Sequence, residues 1–481
     1  MSCTARVPNL TAREQAQLVH DAIPPGLFRT EDENARIPWR VSPEPFALSA
    51  KSVAEIERIG RDLLAFYRAL NNLYNRSARG TAPAFIADYL DRGKPEHIVR
   101  LARQNRFKQE LPGVIRPDLL LTDDGFVASE LDSVPGGMGF VGAMMQAYCE
   151  VGIDSIGGVN GIARGFAAML KHATGAPHPT AAIVVSDESG DYRTELGWLA
   201  QALDKEGSVT AFVCTPSDIV FTEEALFVRL ADGREEKLDA LYRNFELFDL
   251  LNVPKQELML YAARHNRVKM TPPPKATLEE KLSFALFHHP ALAALWRSEL
   301  GKDGKAIYQR LSAIFPKTWI LDPRPLPPQG IIAGLEAQGL PVSDWNTLID
   351  LSKTEREFVV KPSGFSELAW GSRGVKIAND LTKEEWTAAL DEGLRSFDRT
   401  PYILQRFHKG KRIRMPYLDR ENDEIKIFDG RVRLCPYYFV TGEDEVQLGG
   451  ILATIAPADK RLIHGMSDAV MAPSFLKENG Y

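Results

Sequence analysis

The sequence predicts an α+β protein assembled from parts of unlike texture. Three observations lead there. Apolar residues recur at helical spacing through much of residues 1–115, strand-like runs punctuated by turn residues begin at 116, and a strand–helix–strand pattern spans 181–216. The expected organisation is an N-terminal helical region over 1–115, a carboxylate-bearing module over 116–180, an α/β unit over 181–270, and a strand-rich region over 271–481.

The elements follow in order. In 52–75, Ile56, Ile59, Leu63, Leu64, Tyr67 and Leu70 share one helical face, and shorter helices are expected over 83–93 and 95–105. Asp123-Asp124-Gly125 punctuates two apolar runs, so 116–121 and 126–131 should form a hairpin. A helical stretch is expected over 141–174. Then come a buried strand at 181–188, a helix over 191–207 ending at Gly207, and a second strand at 209–216. That order implies a parallel sheet with a crossover helix. A hairpin and one more strand fit 225–247. TPPPKA at 271–276 is a proline-rich linker, a helical region covers 277–300, and strands are expected within REFVVKPSG, GVKIAND, YILQRFHKG and KIFDGRVRLCPYYFV.

The 481 residues carry 58 basic and 64 acidic side chains, a formal charge of −6. No basic excess exists to neutralise a polyanion, which argues against a nucleic-acid partner. No run approaches the roughly 18 apolar residues of a membrane span, and no apolar core follows the N-terminal residues as in a secretory leader. Cys3, Cys149, Cys214 and Cys435 are scattered without a C-x-x-C pair. They are expected as reduced thiols in a cytoplasmic protein.

Chemistry concentrates in two places. In the first hairpin Asp118 should lie opposite Glu130, with Glu130 and Asp132 on one face and Arg116 beside Asp118. Three crowded carboxylates repel, and a hard cation such as Mg²⁺ relieves them while holding substrate phosphates. A guanidinium in the same patch can hold a transferring phosphoryl group. The plain alternative is a solvated acidic hairpin.

The second place is Lys361, at the end of an apolar strand, followed by Ser363, Gly364, Gly371, Ser372, Arg373 and Gly374 in the loop 363–374. Glycines and serines between strands offer backbone N–H groups to phosphate. The loop is neither a Walker loop nor a dinucleotide fingerprint, since the lysine precedes the glycines and no helix follows them. Gln405 and Phe407 sit where a short strand could hydrogen-bond a purine edge. Arg431 and Arg433 alternate toward one face and could meet an anionic substrate, as could Arg193 and Arg243. His464 precedes a glycine and is a weaker candidate near a nucleotide.

Residues 111–140 and 275–475 together resemble the ATP-grasp family, in the circularly permuted branch typified by glutathionylspermidine synthetase. Its metal motif, R-x-D followed twelve residues later by E-x-N, is matched by Arg116, Asp118 and Glu130, with Asp132 where asparagine is usual. Lys361 and 363–374 match the strand lysine and glycine-rich loop, Gln405 the hinge, Lys281 the other nucleotide lysine, and 449–475 the closing segment. The resemblance implies a circularly permuted ATP-grasp fold preceded by an α/β unit and the helical region. It implies ATP and Mg²⁺ as cofactors, with Asp118, Glu130 and Asp132 on the metal. Lys281, Lys361, Ser363, Gly364, Gly371, Ser372, Gly374, Gln405 and Phe407 would hold the nucleotide, and Arg116, Lys361 and Arg373 the transferring group. The implied reaction is ADP-forming ligation of a small carboxylate to an amine through an acyl phosphate, with no nucleic acid or membrane involved. No Cys/His amidase pair accompanies it. A small-molecule kinase on the same fold would need no amine. A nucleotide-binding scaffold would release little ADP.

Overall fold

The structure, a computed structural model, describes Cys3 and residues 10–27, 37–132, 134–327, 329–461, 463, 468–478 and 480–481. His464 lies outside the described residues. The chain forms two compact units: residues 1–64, 111–273 and 409–481 make the first, and residues 65–110 and 274–408 the second. These units cut across the four consecutive segments read from the sequence. The N-terminal helical region is shared between the units inside the helix Ala50–Ala78, and 409–481 joins the carboxylate hairpin instead of the preceding strands. The cause is strand pairing, since the long strand Glu424–Val440 is laddered against Val114–Thr122.

The first unit is built on a seven-stranded sheet. In spatial order it runs Phe46–Leu48, Val470–Leu476, Val446–Pro457, Glu424–Val440, Val114–Thr122 and Gly125–Asp132, with Arg412–Asp419 also paired to Glu424–Val440. Beside it stands a four-stranded parallel sheet of Lys269–Thr271, Ala240–Asn244, Thr180–Val185 and Thr210–Cys214, the arrangement expected of the α/β unit. The helix Arg193–Glu206 crosses over and ends at Gly207 with φ of +67°.

The single helical stretch expected over 141–174 is instead two helices, Met138–Glu150 and Gly161–Thr174. Gly157 explains the break: its φ is +94°, and a Cβ there would stand 2.1 Å from the carbonyl oxygen of Gly449. Arg243 is wholly buried and donates to the carbonyls of Phe245 and Pro272, so it serves the fold, not a substrate. Arg193 is exposed at the start of its helix.

The second unit holds a mixed helical and sheet core. The antiparallel sheet runs Thr318–Ile320, Tyr402–Arg406, Phe358–Pro362 and Lys376–Ile377. One face, carrying Phe358, Val360, Tyr402 and Leu404, packs on Leu348, Trp386 and Leu390. Aromatic stacking closes the helical side, with Phe66 lying 5.4 Å from Trp296 and 5.0 Å from Phe315 between ring centroids.

One correction concerns the cysteines. Cys3 and Cys149 are joined as a disulfide with Cα atoms 5.0 Å apart, so four reduced thiols are not what the fold brings together. Their separation of 146 residues hides the pairing from any spacing rule. Cys214 and Cys435 remain free and buried. No helix among the described residues is long and apolar enough to cross a membrane.

Candidate functional site

The hairpin forms in the expected register. Arg116 pairs with Asp132 and Asp118 with Glu130, and a bulge between Asp118 and Leu119 shifts the register so that Leu119 faces Ala128. The bulge lets Glu130 and Asp132 keep the face of Arg116 and Asp118 while the rest of the hairpin continues apolar. On the neighbouring strand Arg433 is paired with Leu120 and Tyr438 with Ile115. Alternation therefore turns Arg433, Cys435 and Tyr437 toward the same face.

The contacts there are specific. Asp118 is buried and accepts from Arg433 Nη1 at 2.9 Å and from the Cys435 thiol at 3.3 Å. Arg116 Nη2 lies 3.3 Å from Asp118 and 2.8 Å from Asp132. The other oxygen of Asp132 accepts from Val134 N at 2.9 Å. The three-carboxylate patch of the hairpin is thus a five-charge cluster of three acids and two arginines.

The electrostatics follow from burial and pairing. Burial lowers the readiness of both guanidiniums to hold charge, but Asp132 and Asp118 outweigh it for Arg116, and Asp118 does so for Arg433, so both are raised. Burial raises Asp132, with Glu130 and Asp118 adding to it and Arg116 opposing it. Burial, with Asp118 adding to it, pushes the Cys435 thiol up to about 12, so it is a neutral donor to Asp118 and no nucleophile. The Nε–H groups of Arg116 and Arg433 are buried and have no hydrogen-bond partner among the described residues.

A turn supports this cluster. Arg116 Nη1 and the Tyr437 hydroxyl both donate to the Gly136 carbonyl, at 3.2 and 2.9 Å. Glu195, fully buried, accepts from the N–H of Gly137 at 2.9 Å and from that of Gly139. It caps the N-terminus of Met138–Glu150. Burial raises the Glu195 carboxyl to about 7 against the pull of those N–H groups. A Cβ at Gly139 would stand 1.7 Å from the Glu195 carbonyl oxygen, which accounts for glycine there. Sequence reading missed Glu195, Cys435 and Tyr437. The period-two run Arg431, Arg433, Cys435, Tyr437 was the available signal for the last two.

The second unit places the expected nucleotide residues as follows. Lys361 is buried in the strand Phe358–Pro362, and Val359 of that strand is paired with Gln405. Lys361 and Gln405 therefore share a face, the one opposite the Phe358–Trp386 core. Lys281 Nζ reaches the Ala369 carbonyl of the glycine-rich loop at 3.2 Å. The Ser363 hydroxyl donates to Glu280 and accepts from Leu282 N at 2.9 Å, so its proton is already engaged. Ser366 caps the short turn Glu367–Ala369. Gly371 and Ser372 both have φ of +61°, and Arg373 is exposed with its guanidinium 4.8 Å over the Trp370 ring.

Gln405 is engaged within its sheet. Its amide donates to Thr318 Oγ1 at 3.2 Å, and its strand is paired on both sides. The N–H groups of Arg406 and Phe407 bond the carbonyls of Lys317 and Glu357. Arg431 donates to the Gly410 and Ala458 carbonyls, a structural role unlike that of Arg433.

No protein-family model matches the chain, and no curated protein matches it. Among solved structures, it is similar to a glutathione synthetase-like effector from Globodera pallida in its apo form. The two are 12% identical with a TM-score of 0.57, over 98% of this chain and 100% of that one. A looser overlap is with a putative gamma-glutamylcysteine synthetase from Methylobacillus flagellatus KT, 11% identical with a TM-score of 0.38, over 88% and 87% of the two chains. The first likeness shows a shared mixed α and β fold along the whole length.

Proposed function

We propose that the chain is an ATP- and Mg²⁺-dependent carboxylate–amine ligase of the circularly permuted ATP-grasp type. The observation that carries this reading is the pair of buried Nε–H groups of Arg116 and Arg433 that have no acceptor among the described residues, beside Asp118, Glu130 and Asp132. Orphaned buried donors are costly, and oxygen-rich anions such as a transferring phosphoryl group would satisfy them. An all-oxygen carboxylate set suits a hard cation such as Mg²⁺. The fold shared with a protein described as glutathione synthetase-like supports the same reading.

In this reading Asp118, Glu130 and Asp132 hold Mg²⁺, which when bound neutralises phosphate charge. Lys281 and Lys361 take the nucleotide phosphates, with the loop 363–374 closing over them and excluding water. A substrate carboxylate oxygen attacks the γ-phosphorus, the bond to the β-phosphate oxygen breaks, and ADP leaves. The amine nitrogen then attacks the acyl carbon, phosphate departs with its bonding pair, and the nitrogen loses a proton. Arg116 and Arg433 stabilise the charge on the transferring oxygens.

A second reading, a nucleotide-binding protein without turnover, is favoured by one observation. Both oxygens of Asp132 are engaged, one by Arg116 and one by Val134 N. ADP release from Mg-ATP with pooled amino acids, amines and small carboxylic acids separates the two, with Glu130→Gln as the control. Pool-dependent release lost in the variant supports the ligase. ATP binding without release from any pool supports the second reading, and absence of both removes the ATP-grasp assignment.

A further inference from the structure

In the second unit, beneath the glycine-rich loop, lies an ion pair outside the residues assigned so far. Lys94 and Glu280 meet with both side chains only 1% exposed. Glu280 in turn accepts the Ser363 hydroxyl at the root of the loop. Gly364 backs directly onto it, since a Cβ there would stand 3.0 Å from the Glu280 carboxyl carbon and 2.7 Å from the Glu279 carbonyl oxygen. The Lys94 ammonium also lies 5.9 Å from the Phe365 ring centre. The pair therefore touches three consecutive loop residues.

The turn carrying Lys94 is held in place. Gly93 has φ of +74°, and a Cβ there would stand 2.1 Å from the Arg399 carbonyl oxygen. Arg92 reaches Asp398 at 2.7 Å and lies 4.5 Å over the Phe397 ring. Lys94 Nζ makes no hydrogen bond among the described residues, although it faces Glu280.

Stability alone does not explain this arrangement. A buried ion pair is often replaceable by apolar side chains at no loss, whereas removing one partner strands a buried charge. Charge placement explains it better. Glu280 adjoins Lys281 and backs onto the loop that follows Lys361, where a carboxylate would repel a nucleotide's phosphates. We propose that Lys94 is a positioning residue of the nucleotide site. It cancels the Glu280 charge, so that Glu280 can anchor Ser363 and set the loop without repelling phosphate. The inference rests on the nucleotide-binding reading above.

The test is titration calorimetry on the full chain with Mg-ATP and with adenosine, which lacks phosphates. Lys94→Met should weaken ATP binding by roughly tenfold or more, about 1.4 kcal/mol per factor of ten, and leave adenosine nearly unchanged. Adding Glu280→Gln to Lys94→Met should restore most of the ATP affinity, and Lys94→Arg should keep it. Circular dichroism shows whether each variant is folded, and Lys94→Arg carries the test if Lys94→Met is not. Equal losses for ATP and adenosine, no loss in Lys94→Met, a lost affinity in folded Lys94→Arg, or no recovery in the double variant would each overturn the proposal. A wild-type chain that binds no ATP overturns the nucleotide-binding reading itself, a distinct outcome visible before any variant is made.

Discussion

Arg433 and Asp118 stand 315 residues apart in sequence and meet at 2.9 Å on adjacent strands. Asp118 is buried, and Arg433 at 2.9 Å is nearer to it than Arg116 at 3.3 Å. Replacing Arg433 by methionine keeps the bulk and strands the carboxylate. Urea unfolding should then show a loss of about 3 kcal/mol, as for other buried pairs broken on one side. Methionine tolerated at full stability would show that Arg116 alone compensates Asp118.

Asp132→Asn restores the residue usual in the resembled motif and removes one negative charge from the cluster. The amide oxygen can still ligate Mg²⁺. ADP release by the variant should stay within about tenfold of wild type, whereas Lys361→Ala should reduce it by roughly a hundredfold or more, the scale of losing a charge-stabilising donor. Loss of release in Asp132→Asn together with intact Lys361→Ala turnover would reverse the roles assigned to the two residues.

Glu195 gives stability a pH dependence whose sign is fixed by its direction of shift. Its carboxyl is raised from 4.5 to about 7, so the folded state keeps a proton that the unfolded chain has released. Its contribution is complete below about pH 4.5 and is lost as pH rises through 7, by on the order of 3 kcal/mol at most. Unfolding free energies of wild type and Glu195→Gln, compared at pH 5 and pH 8, isolate the effect. The wild type should lose more stability over that interval than the variant, and parallel profiles would count against a buried, proton-holding Glu195.

Two glycines in helices make a matched pair. At Gly139 a Cβ would meet the Glu195 carbonyl oxygen at 1.7 Å, while at Gly197 it would meet nothing within 4 Å. Gly139→Ala should cost about 3 kcal/mol through forced separation of two helices. Gly197→Ala should gain up to about 1 kcal/mol from helix propensity. Thermal unfolding of the two variants reads both signs.

Local order was legible in the sequence because local periodicity encodes it. The helix over 52–75 is found as Ala50–Ala78, and the Asp118–Glu130 register follows from the turn at Asp123–Gly125. The strand–helix–strand unit reads equally well, since alternating elements of that length leave few alternatives. What escaped was everything joined across long separations. Arg433 and Cys435 on Asp118, and Cys3 on Cys149, are pairings that spacing cannot express. The two units cut across the four consecutive segments for the same reason, because the ladder between 114–122 and 424–440 is set by sheet order and not by proximity in the chain. The strands that flank Gln405 on both sides are likewise invisible in its short apolar run.

That ladder also sets a clock during synthesis. The strand bearing Arg116 and Asp118 gains its inner neighbour only after residue 424 has been made, and Asp118 waits 315 residues for Arg433. At roughly 5–20 residues per second this is on the order of half a minute on the ribosome. Throughout that interval Asp118 lacks Arg433 and one edge of the hairpin is bare. Residues 65–110 and 274–408, complete some fifteen residues earlier than 424, can fold while the first unit is still a fragment. A released chain ending at residue 408 should therefore protect the second unit from protease and leave the 114–132 hairpin open to it.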